Sequence, residues 1–219
     1  MTRYLPGSAR SAVIGMFTVL AALLALSPVT QLVTGDPSRS NGAVSSTHRS
    51  VRQPAPVPPS SPGVVPLPRS VPVRVSVPAI DATSSLIPLG LTPDGGLETP
   101  PVEDPMQAGW YSLGPTPGEA GAAVIVGHVD GYSDPGIFYQ LYKLKRGDQI
   151  IVARQDGTTA RFTVYGTRQV DKDSFPTSQV YATTTRAELR LITCGGLFNY
   201  GTGNYTDNII VFAALTRAR

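Results

Sequence analysis

The stretch Leu189-Arg190-Leu191-Ile192-Thr193-Cys194-Gly195-Gly196 carries the single cysteine of the chain at the end of an apolar run. Its residues alternate, with Leu189, Leu191 and Thr193 on one face and Arg190 and Ile192 on the other, and the β-rich run meets a Gly-Gly pair. The pattern predicts a strand that stops at Cys194, with the thiol exposed at a rim where the chain turns. A lone cysteine is often just a small buried hydrophobe. Two glycines directly after the strand favour the chemical reading, because they let backbone N–H groups approach whatever the sulfur attacks, as acyl transfer through an oxyanion requires.

A cysteine nucleophile needs a base or an imidazolium neighbour to supply thiolate near neutral pH. The chain has two histidines, and His48 falls in a Ser- and Arg-rich tract that reads as unfolded. That leaves His128, in Ala122-Ala123-Val124-Ile125-Val126-Gly127-His128-Val129-Asp130-Gly131. This is a second apolar strand ending in a polar residue bracketed by glycines. Asp130, two residues on, could share the side of His128, which invites a triad reading, and as a turn former before Gly131 it also has an adequate structural reason.

Working outward, Val73 to Pro78 and Leu86 to Leu89 read as short strands, and Ile137 to Tyr142 as one helical turn. Gln149 to Arg154 and Thr159 to Tyr165 flank Asp156-Gly157, a hairpin signal. Asn208 to Ala213 is the last strand. Many short strands, frequent turns and no long helical period predict an all-β barrel or sandwich.

Towards the N-terminus, Arg3 and Arg10 precede an uncharged tract from Ala12 to Val33. It is long enough to span a bilayer core, which takes roughly 20 residues. Residues 1–34 therefore read as an uncleaved single-pass anchor, with a cleavable signal peptide as the rival and the remainder of the chain outside the cell. Residues 35–72 are a Pro/Ser-rich linker whose composition favours disorder and extended polyproline II. Residues 73–219 form the folded domain. A net charge of +3 with 15% charged residues is modest, and no basic run interleaved with aromatics points to nucleic acid. One cysteine excludes an internal disulfide, zinc-type Cys-x-x-Cys pairs are absent, and the oxygens between Asp130 and Asp134 lack EF-hand spacing. Neither a metal nor a cofactor is expected.

The pairing of Val126-Gly127-His128 with Ile192-Thr193-Cys194 resembles the sortase signature. Gly109-Trp110-Tyr111, Pro117-Gly118-Glu119-Ala120-Gly121, Gly127-His128-Val129-Asp130, Phe175-Pro176, Thr193-Cys194-Gly195-Gly196 and Tyr205-Thr206-Asp207-Asn208 together resemble class F sortases, over roughly Ser76 to Ala214. The resemblance implies an eight-stranded β-barrel with its site at one rim. It implies a cysteine transpeptidase that cleaves a Leu-Pro-x-Thr-Gly type sorting signal of secreted proteins through an acyl-thioester. The acyl group then passes to an amine of a peptidoglycan precursor or of another protein. Cys194 would be the nucleophile and His128 the acid and base. Thr193 would shape the pocket, and N–H groups near Gly195 would hold the oxyanion. Sortases also use an arginine on the strand after the cysteine, and here Asn208 falls at the expected place without a charge. Arg190 and Arg168 are other candidates, each equally readable as a solvated surface charge. Two alternatives stand beside this reading: a cysteine peptidase with water as acceptor, and a non-catalytic extracellular peptide-binding β-domain.

Overall fold

Alternation of buried and exposed positions along each strand is what lets a sheet close on itself with one face inside. A computed structural model describes residues 56–57 and 64–218. Eight strands run as β1 Pro72–Val77, β2 Ala82–Leu89, β3 Ala108–Tyr111, β4 Gly121–Gly127, β5 Gln149–Arg154, β6 Thr159–Asp171, β7 Ala187–Asn199 and β8 Asn204–Ala218. They close into a barrel in the order β1-β2-β3-β4-β7-β8-β6-β5. The β2–β3 and β4–β7 pairs are parallel and the others antiparallel.

Inward-facing residues fill the barrel: Val75, Val77, Ile125, Ile150, Phe162, Leu189, Leu191 and Val211 belong to one buried cluster. Residues of the opposite parity form a second cluster outside it, with Val124, Val126, Ile192, Ile210 and Phe212 covered by Val180 and flanked by Phe175. The covering residues come from the connection between β6 and β7, which contains a 3-10 turn at Lys172–Ser174 and the one-turn helix α1, Thr177–Val180. This connection roofs part of the outer face of β4, β7 and β8. The expected helical turn near Ile137 is a 3-10 turn at Leu141–Lys143, and Ile137, Phe138 and Leu141 pack into the barrel core.

The strand at the cysteine does not stop at Gly195-Gly196. It continues to Asn199, because β8 is long enough to keep pairing with it: Phe198 lies opposite Tyr205 and Asn199 opposite Asn204. The glycines instead mark a register shift between Gly195 and Phe198, with Gly196 at φ +77°. They build a bulge rather than a turn, since only glycine readily takes that backbone angle in a strand.

Residues 64–71, at the end of the segment read as linker, lie against the barrel. Val64 and Leu67 pack on the inner cluster, Leu67 N donates to Gly118 O at 2.8 Å, and the buried Arg154 guanidinium donates to Pro68 O. The reading of 1–34 as an anchor, and most of the linker at 35–72, falls outside the described residues. Among the described residues, no helix is long and apolar enough to cross a membrane.

Candidate functional site

The site is assembled by strand register. In the parallel pair, Ala122 to Val126 of β4 lie opposite Glu188 to Ile192 of β7. His128 and Cys194 each lie two residues past the last pair of that register, Val126 with Ile192. On the other side of β7, Cys194 lies opposite Asn208 of β8, which in turn lies opposite Val170 of β6. Cys194, Asn208 and Val170 thus form one row across three adjacent strands, which are spaced roughly 4.8 Å apart. By parity with Ile192 and Ile210, Cys194 and Asn208 belong to the outer face, beside the roof from the β6–β7 connection.

Glycines allow the chain to approach at the histidine. A Cβ at Gly127 would meet Ile137 Cγ2 at 2.5 Å, and one at Gly136 would meet His128 O at 2.3 Å. The space is used by Phe138, whose N–H donates to His128 O at 3.0 Å. The ring is half-buried, and its Nε2–H donates to Pro100 O at 2.7 Å. A carbonyl can only accept, so this bond assigns the neutral ring's proton to Nε2 and leaves Nδ1 to exchange protons.

Cys194 is half-buried rather than exposed at the rim. Burial pushes its thiol up, the Lys172 ammonium within hydrogen-bonding reach pulls it down, and the Asp130 carboxylate pushes it up again. Asp130 does not complete a triad through His128: its carboxylate accepts the Tyr205 hydroxyl. Burial and that carboxylate push the Tyr205 phenol up to about 12. Tyr205 also meets Phe198 edge-on, at 5.1 Å between centroids. Phe198, Leu197 and Tyr200 are exposed on the β7–β8 hairpin.

The remaining sequence candidates separate. Asn208 is half-buried directly opposite Cys194. Gly195 follows in the bulge, and its Cα approaches so closely that a Cβ would meet Ile209 Cγ1 at 2.8 Å. Thr193 is buried opposite Ile209, which belongs to the inner cluster. It faces the barrel interior instead of the outer face, because its parity is that of Leu191, not of Cys194.

Arg190 corrects the reading of a solvated charge and sits apart from the cysteine. It is only 3% exposed and bonds Glu188 Oε2 at 2.6 Å. The same oxygen accepts the Tyr165 hydroxyl at 2.8 Å, and the guanidinium stacks 4.7 Å from the Phe212 centroid. Four residues along β7 separate it from Cys194, roughly 13 Å. Truncating one partner of such a pair strands the other charge in the core, at about 3–5 kcal/mol. Arg190→Ala is therefore expected to lower the melting temperature by about 10 °C. An unchanged melting curve would contradict a buried structural pair.

A hollow of about 280 Å³ lined by Tyr111, Gly121 and Tyr181 lies at the start of β4. It is roughly 20 Å along that strand from His128, and so separate from the cysteine. Among the described residues, no group of three or more His, Cys, Asp or Glu could hold a metal ion.

A sortase-domain family model matches residues 75–216, well over half of the chain. The chain belongs to the sortase family. Among solved structures, sortase A of Listeria monocytogenes is 20% identical, with 69% of this chain and 90% of that one covered at a TM-score of 0.51. Sortase C-1 of Actinomyces oris is 21% identical, with 66% and 73% covered at a TM-score of 0.52. The pilus-related sortase C of Group B Streptococcus is 21% identical, with 69% of each chain covered at a TM-score of 0.51. Such identities establish the shared fold. No curated protein sequence matches this chain.

For this sortase, sequence reasoning singled out Cys194 and Asn208, which register sets opposite one another, and His128, two residues past the paired part of β4. It missed Pro100, the link between Tyr205 and Asp130, and Lys172. Pro100 and Lys172 lie in no quoted motif, and although Tyr205 and Asp130 do, nothing local shows that the two side chains bond to each other across the barrel.

Proposed function

We propose that this protein is a membrane-tethered sortase of the class F type, a cysteine transpeptidase that uses Cys194 and His128. It would cleave a Leu-Pro-x-Thr-Gly type sorting signal and transfer the protein to an amine of the cell wall or of another protein. The observation that supports the reading is the register of β4 and β7, past whose last pair, Val126 with Ile192, the one histidine and the one cysteine of the described residues each follow by two residues. The motifs shared with class F sortases and the uncharged tract from Ala12 to Val33 support the class and the extracellular, single-pass placement.

In the proposed cycle, His128 takes the thiol proton and the Cys194 sulfur attacks the threonine carbonyl carbon. The oxyanion collapses, the C–N bond to glycine breaks, and the imidazolium gives its proton to the leaving amine. An incoming amine attacks the thioester, loses a proton to His128, and expels the Cys194 sulfur, restoring the enzyme. Backbone N–H groups around the Gly195 bulge are the donors placed to hold the oxyanion, and the Asn208 amide is an uncharged donor beside it. Selection of amine over water rests on orientation in the groove.

The test is product analysis of a fluorogenic Leu-Pro-x-Thr-Gly peptide, incubated with and without an added amine such as triglycine. The expected product with amine is the new amide joined at threonine. Hydrolysis alone in both mixtures would replace transpeptidation with a peptidase activity. An unprocessed peptide and an unlabelled Cys194 would favour a binding domain.

A further inference from the structure

We propose that Lys172 is a catalytic residue of this site, the cation that steadies the Cys194 thiolate from the end of β6, where the resemblance expected an arginine on β8. The inference rests on the transpeptidase reading and deepens it. Its geometry begins with the row already described: Val170 lies opposite Asn208, and Asn208 opposite Cys194. Lys172 follows two residues after Val170, where β6 ends at Asp171 and the 3-10 turn Lys172–Ser174 begins. The turn is pinned by Asp173 N donating to Asp171 Oδ1 at 2.8 Å and by Phe175 N donating to Lys172 O at 3.3 Å. Two residues on from Val170, which packs against the outer cluster, Lys172 falls on the side of the sheet that carries Asn208 and Cys194.

The placement of the ammonium is unusual. Lysines on protein surfaces bury their stems and hold the charged end in water. Here the residue as a whole is half-buried while its Nζ is buried. A lysine that submerges its charge gives up hydration, and a facing anion offsets that loss. A thiolate at Cys194 would supply such an anion: the charge and hydrogen-bonding reach of Lys172 act on the thiol in the direction that favours ionisation, against the larger opposing push of burial. Asn208, between the two strands, is neutral and cannot supply this.

The other titratable groups around the sulfur are accounted for. Asp130, after β4, opposes ionisation and is held by Tyr205 of β8. His128 is held by Pro100 O. On β8, Asp207 accepts from Gln169 Nε2. Arg168 of β6 donates to Gln179 Oε1 at 2.8 Å. Asp171 and Asp173 are exposed on the turn that carries Lys172, and α1 itself bears no charged side chain.

A cation favours the thiolate, so removing it raises the thiol pKa and moves the onset of reactivity to higher pH. The experiment measures the rate of Cys194 alkylation by iodoacetamide against pH, by mass spectrometry, on the full-length chain in detergent. Lys172→Gln is expected to move the midpoint upward by about one pH unit or more, the scale of an opposite charge within hydrogen-bonding distance. Lys172→Arg should return it towards the wild-type position, and Asp130→Asn should move it downward. Each variant is melted alongside, and Lys172→Met, which keeps the stem, carries the test if the Gln variant does not fold. Superimposable profiles for wild type and the folded neutral variant would overturn the proposal, as would equal shifts in Gln and Arg variants. Alkylation needs no sorting signal, so the peptide assay can fail while this result stands. A processed peptide with an unshifted profile would remove Lys172 and leave the transpeptidase reading intact.

Discussion

Cys194→Ala will remove peptide processing altogether, with turnover of a Leu-Pro-x-Thr-Gly substrate falling to the uncatalysed background. The sulfur forms the only covalent link to substrate in the proposed cycle, and no second cysteine exists to replace it. Loss of a covalent nucleophile costs on the order of 10⁶ in kcat where the rest of the site is intact. The fold should survive, because the residue is half-buried on the outer face rather than among the side chains that fill the barrel. Cleavage and melting measured on one preparation check both expectations. Equal turnover in variant and wild type would sink the acyl-thioester mechanism.

His128→Gln carries the second largest effect. General acid–base assistance is worth about 10² to 10⁴ in rate, and no other described residue is a histidine. Glutamine can still donate from its amide towards Pro100 O, which accepts from His128 Nε2 in the wild type, so local structure is kept while the exchangeable proton is lost. The expected result is a fall in turnover of at least about 10² with little change in melting temperature. Stability lost with specific activity retained would make the imidazole a structural group and remove the base from the mechanism.

The buried ion pair at Arg190 shows how far local pattern reaches. Alternation along β7 correctly put Arg190 on the face of Ile192, but pattern cannot tell an outer face open to water from one under a roof. The β6–β7 connection, with Val180 and Gln179 lying over that face, converts an apparent surface charge into a core one. Thr193, buried opposite Ile209, shows the complementary limit. Adjacency in the motif suggested a shared pocket with Cys194, whereas successive strand residues point to opposite faces.

The sequence by itself determined the all-β class, most strand positions, the hairpin between β5 and β6, and the apolar runs that lead into His128 and Cys194. These are short-range properties, written in alternation, in turn residues and in the scarcity of cysteine and histidine. Tertiary structure alone decided that β7 runs past its glycines, because the partner strand β8 extends beyond them and holds the bulge in the ladder. It alone decided what surrounds the sulfur. Lys172 arrives from β6, Asp130 from beyond β4 and Tyr205 from β8, each through barrel closure and pairing register. A charge acts through distance in space, and barrel closure brings together residues that lie far apart along the chain.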